Sequence, residues 1–316
     1  MRRWLLTLVV GLMTTTSAFA QQLPSQIRIV VPLVAGSSLD ARCRVIADAL
    51  GQRLGKRVIV ENRPGAGGTI GAAYVAKSKP DGATLMMTNN SHVIAPHVYG
   101  NLGYEPLRDL MPVIGAYSSG MVILAHPQIN VTSLKELVAA SKQQHTLNYG
   151  SSGTGSLPHL AMELFLRTAG IRIVHVPYRG DAQAMTDLIG GRISLMMSGY
   201  PTAMSQVRAG KLRALAVTSS KRAPVFPAVP TIAETYPDYV LDTWAMVFAP
   251  AGTPPGLVEH LHQAFKAAIA TPQVRANYEA TGAEVDPRTP AQLGTFLQQE
   301  SERYRKVVKE LDLKPE

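Results

Sequence analysis

The sequence predicts an α/β protein whose mixed, mainly parallel strands form two sheets rather than one. Three observations carry this. Short apolar strands alternate with helical segments, nearly every strand is followed by glycines and hydroxyl residues, and after Lys221 the alternation breaks into a run containing Pro224, Pro227, Pro230 and Pro237. Alternation of this kind specifies a parallel sheet, and the proline run reads as a connection returning from one domain to the other.

In order, Ile27–Pro32 is a strand, 39–54 a helix, Val58–Glu61 a strand, 70–78 a helix and Thr84–Thr88 a strand. The pattern resumes with strand Val122–Ala125, helix 133–143, strand Leu147–Tyr149, helix 159–169, strand Arg172–Val176, helix 182–189 and strands Ile193–Met197 and Leu212–Val217. From Pro255 onward the chain is helical, with amphipathic stretches at 257–270, 272–281 and 291–311. No internal repeat is visible. Open parallel sheets bind ligands beyond the carboxyl ends of their strands, so the loops there are the places to look for function.

Composition narrows the class. The chain has 316 residues, 46% hydrophobic and 17% charged, which is ordinary for a globular protein and excludes a disordered or polytopic membrane chain. A net charge of +9 attracts anions without identifying them. The single cysteine, Cys43, excludes an internal disulfide, zinc fingers and iron–sulfur sites, and 6% aromatics argues against a base-stacking surface. Arg2 and Arg3, the apolar run Trp4–Met13 and Ala18-Phe19-Ala20 read as a secretory signal, residues 1–20, cleaved after Ala20. That run is too short to span a membrane, which takes roughly 20 apolar residues. The expectation is a free periplasmic protein.

Several strand-end loops are candidate sites. Pro32–Asp40 ends a strand and opens a helix, where free N–H groups and the Ser37 and Ser38 hydroxyls suit an anion; a plain turn fits the same residues. Glu61–Gly71 is glycine-rich, but Ile70 stands where a dinucleotide fingerprint needs its third glycine, so a tight turn packing backbone against the neighbouring domain or a ligand is expected. Ser151, Ser152, Thr154 and Ser156 offer a dense set of donors ahead of another helix. A serine nucleophile at Ser152 or Ser156 with His159 as base is the rival reading, weakened by the absence of a G-x-S-x-G elbow. Asn89, Asn90 and Ser91 end a further strand, Tyr178 and Arg179 another, and Ser198 another; Arg179 could pair a carboxylate. No metal-binding or paired-carboxylate arrangement and no basic–aromatic cluster is present in the sequence, so neither a metal, a cofactor nor nucleic acid is expected.

These loops, taken in order, resemble the substrate-binding proteins of tripartite tricarboxylate transporters, the Bug family, over essentially the whole chain after the signal. The marks are Ile27–Pro32, Val60-Glu61-Asn62-Arg63-Pro64-Gly65-Ala66-Gly67-Gly68, Leu147–Gly153, His175-Val176-Pro177-Tyr178-Arg179-Gly180, Gly210–Val217 and Ala249-Pro250-Ala251-Gly252-Thr253-Pro254. The resemblance implies a two-lobed periplasmic binding protein of type II with a cleft between lobes. Residues 21–121 and 250–316 would form one lobe and 122–249 the other. It implies no catalysis. A small organic anion (a mono-, di- or tricarboxylate or an acidic amino acid) would be delivered to a membrane permease, with a sensor kinase as alternative recipient, by a monomer. Ligand contacts would fall on Leu33, Ala35, Gly36, Ser37, Asn89, Asn90 and Ser91 in one lobe and on Ser151, Ser152, Thr154 and Ser156 in the other. Tyr178, Arg179 and Ser198 would stand at the rim, with Trp244 walling the pocket. Leu33 and Ser37 depart from the family's Pro-Phe-x-x-Gly-Gly-x-x-Asp loop, while Asp40 keeps it.

Overall fold

The computed structural model describes residues 23–143, 146–239, 241–286 and 288–313; the expected signal and its cleavage point lie outside them. The chain begins β1 (Gln26–Val31), α1 (Ser38–Leu54), β2 (Arg57–Asn62), α2 (Thr69–Ala76), β3 (Thr84–Asn89), α3 (Ser91–Val98), α4 (Pro106–Asp109) and β4 (Leu110–Ser119). It continues with β5 (Met121–Ala125), α5 (Leu134–Gln143), β6 (Asn148–Ser151), α6 (Leu157–Thr168), β7 (Val174–Pro177), α7 (Asp181–Ile189), β8 (Leu195–Gly199), α8 (Tyr200–Arg208) and β9 (Arg213–Val217). It ends with β10 (Thr243–Pro250), α9 (Pro255–Ile269), α10 (Pro272–Thr281) and α11 (Pro290–Glu310).

The strands form two five-stranded sheets, ordered β2-β1-β3-β10-β4 and β7-β6-β8-β5-β9. In each, one strand runs against its neighbours: β10 is antiparallel to β3 and β4, and β5 to β8 and β9. The second sheet therefore repeats the topology of the first although the sequence shows no repeat. Both reversed strands arrive from the other sheet. β5 follows β4 across Gly120 alone, where a β-carbon would collide with the Tyr200 hydroxyl and ring. The longer return runs from β9 through the Thr231–Glu234 capping box to β10. Because β10 lies in the first sheet, the return is complete by Thr243, ahead of residue 250.

Side-chain alternation explains the layers. Ile27, Ile29 and Val31 of β1, Leu85 and Met87 of β3 and Ala245, Val247 and Ala249 of β10 pack on one face with α1, α9 and α10. Val30, Met86, Trp244, Met246 and Phe248 pack on the other with α2, α3 and α11. Strands covered on both faces read as continuous apolar runs, which is why they are visible in sequence. Cys43 sits in the first of these cores, its thiol pushed up by burial.

Five elements, α3, α4, β4, α8 and β10, are absent from the alternation read in the sequence. Pro96 interrupts the helical pattern of α3, and Pro112 and Gly115 that of β4. β4 tolerates Pro112 because it is an edge strand whose pairing with β10 slips in register between Val247 and Phe248. No helix among the described residues is long and apolar enough to cross a membrane.

Candidate ligand cleft

In the first sheet, the loops after β1, β2 and β3 lie at the carboxyl ends of neighbouring strands. Ser37 caps α1 by accepting the Asp40 amide at 3.3 Å, and the Asp40 carboxylate accepts the Gly36 amide at 2.9 Å. Arg44 and Asn62 complete its coordination at 2.9 and 3.0 Å. Burial raises the Asp40 pKa, but these hydrogen bonds outweigh it and leave the carboxyl below its ordinary value. Asp40 is thus occupied in shaping the loop, while helical geometry leaves the Ser38 and Leu39 amides without intrahelical acceptors. Leu33 and Ser37 are half-buried, and Val34, Ala35 and Gly36 are exposed.

The glycine turn packs tightly, but against its own lobe rather than against the neighbouring domain. A β-carbon on Gly71 would press on Pro32 and the Arg63 carbonyl, and one on Gly67 would meet the Tyr99 ring. This close approach ties the β2 loop to the β1 loop.

Two first-lobe expectations are corrected. Asn90 is fully buried, donating to the Asp242 carbonyl at 3.2 Å and the Tyr304 hydroxyl at 3.1 Å and accepting the Trp244 amide at 3.0 Å. Both its N–H donors and its carbonyl oxygen fasten β3 to β10 and α11, and the side chain, with no exposure, does not reach a ligand. Trp244 is 1% exposed; its indole lies edge-on to Phe296 and donates to Glu300 at 3.3 Å. It belongs to the core rather than to a pocket wall. Asn89 and Ser91 remain half-buried at the strand end, with Asn89 Oδ1 accepting both the Ser91 amide and hydroxyl.

In the second sheet, β7, β6 and β8 are adjacent, so Tyr178, Arg179, Ser151, Ser152 and Ser198 come together at one sheet end. The Tyr178 amide donates to the Ser151 carbonyl at 3.0 Å, joining the β6 and β7 loops. Ser151 is fully buried, its hydroxyl 2.7 Å from His175 Nε2 and 3.1 Å from the Gly153 carbonyl, so it braces the loop rather than facing outward. Ser198 is 3% exposed. Ser152 and Ser156 are half-buried; Thr154 and Arg179 are exposed. The Tyr178 hydroxyl donates to Asp187 at 2.9 Å.

Sequence reasoning passed over the packing beneath this loop. His159 and His175 stack at 4.0 Å, with Tyr149 4.9 Å beyond His175. Burial and then the neighbouring His175 lower the His159 pKa to about 3, and burial lowers that of His175 to about 4, so both are neutral near pH 7. A neutral His159 is what allows its Nδ1 to accept the Gly155 amide at 3.1 Å. The hydrolase reading finds no geometry here. The Ser156 hydroxyl donates to the Gly153 carbonyl at 2.6 Å, and among the described residues neither Ser152 nor Ser156 is hydrogen-bonded to His159. Ser156 opens α6 without a side-chain cap, and Pro158 follows, leaving the Leu157 and His159 amides available. Gly155 lies against Val98 of α3, and Leu160 shares a core with Val93 and Ile94, so the α6 loop reaches the first lobe.

What this arrangement can do is solvate an anion with neutral donors. Free amides at helix starts are reinforced by the helix dipoles and by the Ser152, Thr154 and Ser156 hydroxyls.

Residues 42–313 match the sequence profile of the tripartite tricarboxylate transporter family receptor. Protein BugT of Bordetella pertussis is 35% identical over 316 residues, covering 97% of each chain. The solved periplasmic binding protein BugD is 32% identical, with a TM-score of 0.83 over 92% of this chain and 99% of its own. R. palustris Rpa4515, solved with adipate, is 33% identical, with a TM-score of 0.86 over 93% of this chain and 100% of its own.

Proposed function

Since the chain belongs to the tripartite tricarboxylate transporter receptor family, we propose that it is a periplasmic solute-binding protein that closes two lobes on a small organic carboxylate and presents it to a membrane permease. The lobes divide at Gly120 and ahead of Thr243, each built on one of the two sheets. Residues 1–20 direct export and are removed after Ala20.

The observation that carries this reading is the chemistry of the strand ends. They hold unspent amides at the starts of α1 and α6 and hydroxyls at Ser152, Thr154 and Ser156; among the described residues neither Ser152 nor Ser156 is hydrogen-bonded to His159, and Ser151, which contacts His175, is fully buried. Charge-assisted hydrogen bonds of about 1.5–3 kcal/mol each offset the dehydration of a bound carboxylate. Closure is favoured because a ligand touches both lobes only in the closed state. The adipate held by Rpa4515 supports a carboxylate as ligand class.

The test is calorimetry and thermal shift on protein stripped of co-purified ligand, across mono-, di- and tricarboxylates, amino acids and aromatic acids. Saturable binding of at least one acid is expected; no binder in the whole panel would end the proposal. Ligand-dependent capture of a permease subunit, rather than a sensor kinase, tests the delivery step, and mass spectrometry of the exported protein tests the cleavage.

A further inference from the structure

Between β6 and α6 the backbone amides of the donor loop alternate in what they meet. The Gly153 amide donates to the Ser151 hydroxyl oxygen at 3.2 Å and the Gly155 amide to His159 Nδ1 at 3.1 Å, whereas the Thr154 amide between them meets no acceptor among the described residues. Gly155 is buried and Thr154 exposed, in keeping with that alternation. The turn needs φ of 125° at Gly153 and 74° at Gly155, conformations that cost a glycine little and other residues more.

Both acceptors beneath the loop are fixed by one stack of rings. The buried Ser151 hydroxyl is 2.7 Å from Nε2 of His175 in β7, and the His175 ring stacks at 4.0 Å on His159 of α6. Tyr149 of β6 lies 4.9 Å from the His175 ring and donates its hydroxyl to Glu163, one turn along α6 from His159. The stack therefore ties β6, β7 and α6 together below the donors. Acceptance at Nδ1 requires a neutral His159 ring with its proton on Nε2.

Resting on the reading of this cleft as a carboxylate site, we propose that His159 and His175 are positioning residues for ligand capture: by holding the Gly153 and Gly155 amides inward, they leave the Thr154 amide and the start of α6 presented to the ligand. Neither ring touches the ligand. His159 acts directly on the Gly155 amide, and His175 acts through the Ser151 hydroxyl. Without these anchors the loop would have to be ordered when the ligand binds, and that ordering would be subtracted from the affinity.

The experiment compares stripped wild type with two substitutions that divide the roles of His159. His159→Phe keeps a flat ring against His175 and removes the acceptor; His159→Asn gives up the ring but sets an oxygen near the place of Nδ1. His175→Leu and His175→Gln make the same comparison at Nε2, and serve if His159→Phe does not fold. Three quantities are read: hydrogen exchange of the Gly155 amide without ligand, the urea midpoint, and affinity for the tightest binder among adipate, succinate, citrate, glutamate and benzoate. In His159→Phe the Gly155 amide should exchange about tenfold faster and affinity should fall about tenfold, while His159→Asn stays within about threefold of wild type in both. His175→Leu should weaken binding by a similar factor, and His175→Gln should restore most of it. Wild-type exchange at Gly155 in His159→Phe overturns the proposal. So does faster exchange with unchanged affinity, or affinity that merely follows the urea midpoint across the variants, as a purely structural role requires. If exchange responds as expected but wild type binds no acid of the panel, it is the carboxylate reading that fails, and the proposed role in capture falls with it.

Discussion

Replacing Asn90 with alanine separates a structural role from a ligand-binding one. Its amide makes three hydrogen bonds, to the Asp242 carbonyl, the Tyr304 hydroxyl and the Trp244 amide, at a site with no solvent exposure. Each is worth about 0.5–1.5 kcal/mol net, and the buried Trp244 amide and Tyr304 hydroxyl left behind cannot turn to water. The expected loss is about 2–4 kcal/mol, roughly 5 °C or more in Tm. Urea unfolding followed by tryptophan fluorescence reads it directly. Of the two tryptophans, Trp4 falls in the expected signal, so Trp244 reports alone in the processed protein, beside the site of substitution. Affinity for the best acid of the screen should change less than about twofold, since no part of the Asn90 side chain is available to a ligand. A variant as stable as wild type but weakened in binding would refute this reasoning and return Asn90 to the ligand site.

Other outcomes follow from the same structure. Gly120→Ala should destabilise by about 1–3 kcal/mol, because the new methyl meets the Tyr200 hydroxyl, and adding Tyr200→Phe should recover part of the loss; additive effects in a double-mutant cycle would count against the contact. Asp40→Ala should free Gly36 and Asn62, loosen the first loop and weaken both stability, by about 2–3 kcal/mol, and ligand affinity; an unchanged urea midpoint would contradict this. Stability should also fall as pH drops below about 6.5. Burial lowers the pKa of His92 to about 4, as it does that of His175, and with His159 at about 3 the unfolded chain takes up protons that the folded one refuses. Their contribution is complete above the unfolded value of 6.5 and is lost as pH falls through the folded values. Asp242 works the other way: burial and then Glu284 and Glu300 raise it to about 6, so in the window below that pH the folded state gains a proton and some stability. Three imidazoles against one carboxyl leave a net loss of stability as pH falls towards 5. A flat unfolding midpoint between pH 7 and 4.5 would sink the assignment.

Local signals carried much of this protein. Apolar runs such as Ile27–Pro32 declare strands because they are covered on both faces. The glycine turn at 65–71 was legible as packing since a missing side chain is itself the signal. Donor-rich strand ends pointed to an anion site for the same reason. What no local signal holds is the direction in which a polar side chain is spent. Asn89 and Asn90 are alike in sequence, yet one stays at the strand end and the other is consumed by Tyr304, 214 residues away.

The sequence by itself determined the class of the protein, the order of most of its elements and which loops could bind, since each depends on neighbours a few residues apart. Only the tertiary structure decided that β10 returns to the first sheet between β3 and β4, that Trp244 and Asn90 serve the core, and that His159 supports a loop instead of activating a serine. Those outcomes rest on pairings between residues distant in the chain, and a hydrogen bond satisfied from afar leaves no trace in the residues next to it.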